Sequence, residues 1–484
     1  MISRQLIKSS AALLLAASMM TGGTPASAAY SPSVSAATKL VYAQGKNFNV
    51  NVVTVDLTDP TLELAPAVAD GGIGHDAPLP SIIDREHAVA AINGTFFNAY
   101  ESDPYSRYPN GALLSSGEAM YSGENQTFFL NKDKVPDIQS VTLNIALQVS
   151  EGGGTYPIQP WGINKYYGES STDQIVWYTP AFGRWIGFPN GTKVVIEDDR
   201  ITRITEDSVQ VPADGYVLFV GNSANNRQHV LPNLDVGDRV TKALQAQGEG
   251  GSQLDAPTWL AAIGVGPKLV TGGAVDLDTA RDGFSDPKVT QASAARSFIG
   301  IDSADRLVMG TVPNATLSQL AAIAATLQLK EAMNMDGGSS SGLYANGTMM
   351  TAPGRELSNA LVVRKLEKPK VQLAINGNYV KDYTGTIVQD TTVVPIRPFI
   401  AALNAGFQWD AGTRTATITS AGVTLKLQDG SSVATVNGKS VTVPVPLQIM
   451  ADSRMYVPLR FVAEALHSKV DWDSRLYRAS VQLP

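Results

Sequence analysis

Ala332-Met333-Asn334-Met335-Asp336-Gly337-Gly338-Ser339-Ser340-Ser341-Gly342 is the stretch on which the reading of this chain turns. Ala332 to Met335 is a short, largely apolar run of strand length, and it stops at an acid followed by two glycines. Paired glycines open backbone geometry closed to other residues. Asp336 is therefore expected at a strand end as a fixed carboxylate. The amides of Gly337 and Gly338, extended by the hydroxyls of Ser339 and Ser340, then suit an anion-binding concavity. The plainer alternative is a structural turn in which Asp336 caps its own amides. Upstream, Leu317, Leu320, Ala321, Ala324 and Leu327 recur at helical spacing, which predicts a helix over 317–329.

Two further stretches read as strands ending in chemistry. Ala295 to Asp302 alternates, with Arg296 near its start, where a guanidinium can grip a phosphate through two parallel hydrogen bonds. The plain reading is a surface or salt-bridged arginine. Val89 to Ile92 is a buried-strand pattern running into Asn93-Gly94, which places the Asn93 amide on a turn. Asn51 to Leu57 is an early alternating strand, and Gly152 to Gly154 marks a hairpin turn. Strand-like runs outnumber helical ones, so the fold class expected is α+β, with a mixed-sheet catalytic-type domain ahead of a small α+β repeat domain.

Composition narrows the chemistry. The 484 residues carry 37 Lys+Arg against 44 Asp+Glu, a formal charge of −7. That argues against a nucleic-acid partner, which needs a basic surface. Cysteine is absent, and the histidines are His75, His87, His229 and His467. A cysteine nucleophile, a thiolate metal site and disulfides are excluded, and a multi-histidine metal centre is disfavoured. No cofactor is identified. The abundant carboxylates leave room for a divalent metal, although no calcium-loop spacing occurs.

The N-terminus sets the expected location. Arg4 and Lys8 precede the apolar run Ala11–Met20, and Ala26-Ser27-Ala28 fits a signal-peptidase site, so 1–28 reads as a secretory signal peptide. No later run is long enough for a membrane helix. A secreted or cell-envelope protein of a bacterium is expected. Residues 29–366 form the larger part, and the charged segment Lys365–Lys370 reads as a linker. Beyond it, Val394-Pro395-Ile396-Arg397 repeats as Val457-Pro458-Leu459-Arg460, and each copy reaches a Trp-Asp pair, Trp409-Asp410 and Trp472-Asp473. The hairpin turns Asn376-Gly377 and Asn437-Gly438 precede them. Two units, about 371–420 and 432–484, are expected within 367–484, with both tryptophans as core anchors.

These repeats resemble the stalk-type domain labelled copper amine oxidase N-terminal domain-like. His467 is that segment's histidine, so the label's copper is not carried over. Binding of an anionic cell-wall polymer through Arg397 and Arg460 is weighed against pairing inside each unit. The larger part resembles the phosphodiester glycosidase family. The resemblance rests on Asn93-Gly94 with Phe96-Phe97, Asn164-Lys165, Arg296-Ser297-Phe298-Ile299-Gly300, Asn334 to Ser340, and Ser358 to Val363 preceded by Arg355. It covers about 85–364, with Lys165, Ser297 and Ser339 as departures.

What the resemblance implies is a glycosidase cleaving the bond between a sugar and a phosphodiester in an envelope or extracellular phosphoglycan. Asp336 would be the carboxylate and Arg296 the phosphate-side group. Asn93, Gly94, Asn164, Lys165, Gly337, Gly338, Ser339 and Ser340 would bind substrate. Asp302, Glu331, Glu101 and Asp103 are the candidates for a second acid. The alternative is a non-catalytic envelope protein that binds wall polymer or exopolysaccharide.

Overall fold

The computed structural model describes residues 33–484 apart from 104, 152–153, 169–171, 184 and 381–384. The expected signal peptide lies outside the described residues. The chain is mostly β with a few short helices.

The strand predicted at the decisive stretch is Glu331–Asn334, and it sits inside a seven-stranded antiparallel sheet. The order of that sheet is Val34–Ala43, Lys46–Val55, Leu307–Ala315, Ala294–Ile301, Glu331–Asn334, Lys268–Thr271, Ala274–Val275. Alternation decides its two faces. Ile299, Ile301, Met309 and Met333 point into the central core. Phe298, Val308, Val312 and Ala332 point the other way, against the helix Leu317–Thr326. The helix starts as a capping box, with Thr316 and Gln319 satisfying each other's backbone amides. It ends before the predicted Leu329, since Gln328 turns to a left-handed φ of 60°. Its buried Leu320 and Ile323 each contribute roughly 1.5–3 kcal/mol by leaving water.

A five-stranded sheet faces the first across the central core. Its order is Thr348–Thr351, Leu343–Ala345, Ala88–Asn93, Asn359–Lys365, Leu62–Val68. Ala90, Ile92, Leu361 and Val363 enter the shared core, while Ala91, Ala360 and Val362 pack on the short helix Leu79–Arg85. A larger sheet built on the sixteen-residue strand Pro136–Glu151 closes the core with Leu113, Phe128 and Ile263. One of its pairings, Gly162–Ile163 with Ile175–Tyr178, is parallel, so the sheet is mixed.

The C-terminal residues form a core of their own from Val371 to Val481. Here the expected pair of units gives way to interleaving. The first hairpin, Gln372–Ile375 with Asn378–Tyr379, pairs with the last strand, Arg478–Gln482, in parallel. The second hairpin, Val433–Val436 with Lys439–Thr442, joins through Val423–Gln428 to strands of the first copy. Thr391–Pro395 pairs with its repeat partner Met455–Pro458. Each copy leaves strand edges that only the other copy can satisfy. Trp409 packs at the margin of this core, whereas Trp472 is 40% exposed and meets Tyr477 edge-on, so it is not the anchor expected. The segment expected as a linker is fastened down, with Leu366 N–H donating to the Thr61 carbonyl and Lys370 paired with Glu63.

Candidate active site

Two neighbouring strands bring the candidate residues together. Ala294–Ile301 and Glu331–Asn334 pair antiparallel with Phe298 opposite Asn334. The ladder continues past the strand end, since Met335 N–H donates to the Ser297 carbonyl at 2.9 Å. One step further, the same register sets Arg296 opposite Asp336. Gly337 lies against Arg296, and a Cβ added there would come within 3.7 Å of the arginine Cδ.

Asp336 is half-buried. Gly337 N–H donates to its Oδ1 at 2.9 Å, and the Ser340 side chain also bonds it. Burial is the largest influence on the carboxyl and pushes it up to about 6, against the opposing pull of Ser340, Gly337 and Arg355. The turn is thus partly the self-capped alternative. Besides Gly337, the amides of Ser340 and Ser341 close on the carbonyls of Gly337 and Gly338. Gly338 has a φ of 60°, the left-handed conformation for which glycine is suited. Gly338 and Ser339 are exposed.

Arg296 is buried, and its guanidinium is committed to the backbone. Nε donates to the Ala315 carbonyl at 3.1 Å and one terminal nitrogen donates to the Ala292 carbonyl at 2.5 Å. Desolvation pulls its pKa down. Among the described residues it has no carboxylate partner in an ion pair. It stands beside Asp336 and is largely occupied with the fold.

Asn93 is brought to the same place in a different role. Its Nδ2 donates to the Asp336 carbonyl at 2.7 Å and its Oδ1 accepts from Gly342 N–H at 3.1 Å. Both ends of the fully buried amide therefore hold the turn 336–342, and neither is turned toward a ligand. Gly94 must be glycine for packing, because a Cβ would lie 1.8 Å from Asn359 Oδ1. Asn164 is likewise interior, with its amide bonded to the Met120 carbonyl and to Thr179. Lys165 lies on the same loop, its ammonium 4.1 Å from the centre of the Tyr121 ring. Burial brings it down to about 8. Among the described residues no hydrogen bond or ion pair links Lys165 to the turn 336–342.

Strand geometry sorts the candidate second acids. Asp302 is six residues along its strand from Arg296, roughly 20 Å at 3.3 Å per residue, and it pairs with Arg306. Glu331 is at the far end of its strand from Asp336 and pairs with buried Lys268. Both are on the wrong side of the sheet end. Glu101 and Asp103 belong to the loop that carries Tyr100, on the near side.

The sequence did not reveal Arg355 as part of this corner. Gly354 N–H donates to the Ser339 carbonyl at 2.7 Å, which fastens its loop to the turn after Asp336. Arg355 donates to the Tyr100 hydroxyl at 2.9 Å, and its charge acts on Asp336. Its only signal in the sequence was a Gly-Arg ahead of the last strand. Around the turn, Ser297 Oγ, Asn334 Oδ1 and Ser341 Oγ are buried with no hydrogen-bond partner among the described residues. A cleft of about 1240 Å³ lined by Phe96, Gln126, Asp282, Phe284 and Glu331 lies nearby, and Asp336 is not in its lining. Among the described residues no three acids or histidines converge as metal ligands.

Residues 190–364 match the family model described as phosphodiester glycosidase. That part of the large region is similar to the phosphodiester glycosidase family. Arg296 and Asp336 to Ser340 fall inside the match, while Asn93, Gly94, Asn164 and Lys165 precede it. Residues 374–481 match the copper amine oxidase N-terminal domain model. The donor set there, with His467 as the histidine, does not fit copper. Among solved structures, a hypothetical protein from Synechocystis is 23% identical with a TM-score of 0.56, covering 68% of this chain. The chain spans 62% of that protein's length. A putative exported protein from Burkholderia pseudomallei is 17% identical with a TM-score of 0.53, covering 66% of this chain and 74% of its own. Both share the fold of about two thirds of this chain. No curated protein sequence matches the chain.

Proposed function

We propose that this protein is a secreted hydrolase that cleaves the bond between a sugar and a phosphodiester in an envelope or extracellular phosphoglycan. The observation that carries the reading is the corner at Asp336, in which a carboxyl pushed up to about 6 sits opposite Arg296 in register and within reach of the Arg355 charge. A glycosidase-type activity agrees with the family of the domain.

The chemistry asked of the corner is modest. The C1–O bond breaks with its electron pair leaving on the phosphate oxygen, and water supplies the hydroxyl that ends on C1. Phosphate departs readily, so protonation of the leaving oxygen matters less than in ordinary glycosides. The needs are a carboxylate beside the oxocarbenium-like centre and positive charge beside the phosphate. Asp336 serves the first need. Its working form is the ionised one, so turnover rises as pH climbs through about 6. The C-terminal residues are proposed to hold the protein at the envelope through a wall polymer.

The test is Asp336→Asn, assayed for sugar release from a sugar-1-phosphodiester. A loss of about 10²–10⁴-fold is expected, with the wild-type rate falling on the acid side of pH 6. Undiminished turnover in the variant removes Asp336 from the reaction. The non-catalytic reading draws on one feature, the commitment of Arg296 and Asn93 to backbone partners. It predicts polymer binding with no sugar release by the wild type.

A further inference from the structure

The geometry points to Arg355, steadied by Tyr100, as the group that receives the substrate's phosphate, in place of Arg296. The inference deepens the proposed function and rests on it. Two arginines border the turn after Asp336, and they are employed differently. Arg296 is interior, with Nε and one terminal nitrogen spent on the carbonyls of Ala315 and Ala292. To turn toward a ligand it would have to give up both bonds and leave the buried Ala315 carbonyl unpaired. Arg355 is half-buried and among the described residues has no carboxylate partner in an ion pair.

Arg355 is also held in place. The Gly354–Ser339 backbone bond ties its loop to the turn that carries Asp336. One terminal nitrogen donates to the Tyr100 hydroxyl, and the guanidinium lies 5.0 Å from the centre of the same ring. A planar guanidinium fixed on one edge keeps its other donors aligned for an oxyanion, as bidentate phosphate recognition requires. Tyr100 itself is 85% exposed, so the pair stands open to solvent and to a substrate. The charges of Lys288 and Asp336 both reach Tyr100.

The experiment compares two substrates, a sugar-1-phosphodiester and the nitrophenyl glycoside of the same sugar. Arg355→Gln is expected to lower kcat/KM on the phosphodiester by about 10²–10³-fold, the usual cost of one preorganised donor, and to change the plain glycoside less than about threefold. Arg355→Lys recovers part of the loss, since it restores charge without the planar fork. Tyr100→Phe raises KM for the phosphodiester with little change in kcat. Equal losses on both substrates, or none with an active wild type, overturn the assignment. Should the wild type release sugar from neither substrate, the glycosidase reading fails by itself, and the clamp is judged by titrating inorganic phosphate. Weaker phosphate binding in Arg355→Gln but not in Arg296→Gln upholds it, and the reverse or an equal effect overturns it.

Discussion

The Asp336 corner and the C-terminal repeats are both built on charged residues at strand ends, and they treat those residues in opposite ways. In the repeats, Asp410 caps the amides of Gly412 and Thr413, and Asp473 caps those of Arg475 and Leu476. Arg460 donates to the Val470 carbonyl and pairs with Glu464, while Arg397 lies over the Phe407 ring. Every charged member of the repeated motif has a local occupation. In the Asp336 corner a carboxyl is pushed up by burial, and Arg355 lacks an acid partner among the described residues. Satisfied charge is the signature of a part that holds shape. Charge left wanting is the signature of a part that waits for a ligand.

The strongest way to break this contrast is to ask whether Asp336 costs stability. A carboxyl whose folded pKa is raised favours the fold while it is protonated, and that advantage is lost as pH rises through the folded value. The relevant window runs from about 4, the unfolded value, to about 6. Wild type should be destabilised relative to Asp336→Asn by up to about 3 kcal/mol above pH 6.5, with the gap closing below pH 4. Thermal melts of both proteins at pH 4 and 7.5 read it directly. A variant less stable than wild type at pH 7.5 would show that Asp336 holds the turn rather than strains it.

A smaller effect tests how the two regions meet. Arg478, on the last strand of the repeats, donates to Asp133 at 2.8 Å and to the Lys132 carbonyl at 2.6 Å, both on the large region. It also bonds Gln372, and with Lys370–Glu63 it flanks a cavity of about 300 Å³ lined by Leu57, Leu130, Leu476 and others. Arg478→Ala should cost about 1.5–3 kcal/mol, because it strips a carboxylate and a carbonyl of a charged donor. Calorimetry should show the loss while sugar release stays within about twofold. A drop in activity to match would mean that the repeats shape the site.

The smallest expected change is at the repeated arginine. Arg460 and Glu464 are both more than half exposed, so Arg460→Ala should shift stability by less than about 1 kcal/mol in denaturant titration. A larger loss would mean that the motif arginine is a structural keystone.

Much of this was legible in the residues because local pattern decides it. Short apolar runs placed Ala88–Asn93 and Glu331–Asn334, and alternation placed Ala294–Ile301, as strands to within a residue or two, and helical spacing found Leu317–Thr326. The capping alternative for Asp336 was likewise visible, since Asp before Gly-Gly bonds its own backbone readily. Asn93 misled for a physical reason. An Asn-Gly at a strand end looks the same whether its amide faces a ligand or a neighbouring loop, and the partner it found, the 336–342 turn, is 243 residues away in sequence. The repeats misled in a similar way. Sequence similarity identifies two copies, yet hydrogen-bond pairing exchanges their hairpins.

By itself the sequence determined the strands, the helix, the glycine-flanked carboxylate and the chemistry excluded by missing cysteine, because each follows from neighbours within a few residues. Tertiary structure alone decided which arginine was spent and which was free. That choice depends on the long-range pairing that commits Arg296 to the carbonyls of Ala315 and Ala292, and on one backbone bond, Gly354 to Ser339, that carries Arg355 to the turn. Long-range pairing of strands and loops is set by the packing of whole sheets, and no local pattern encodes it.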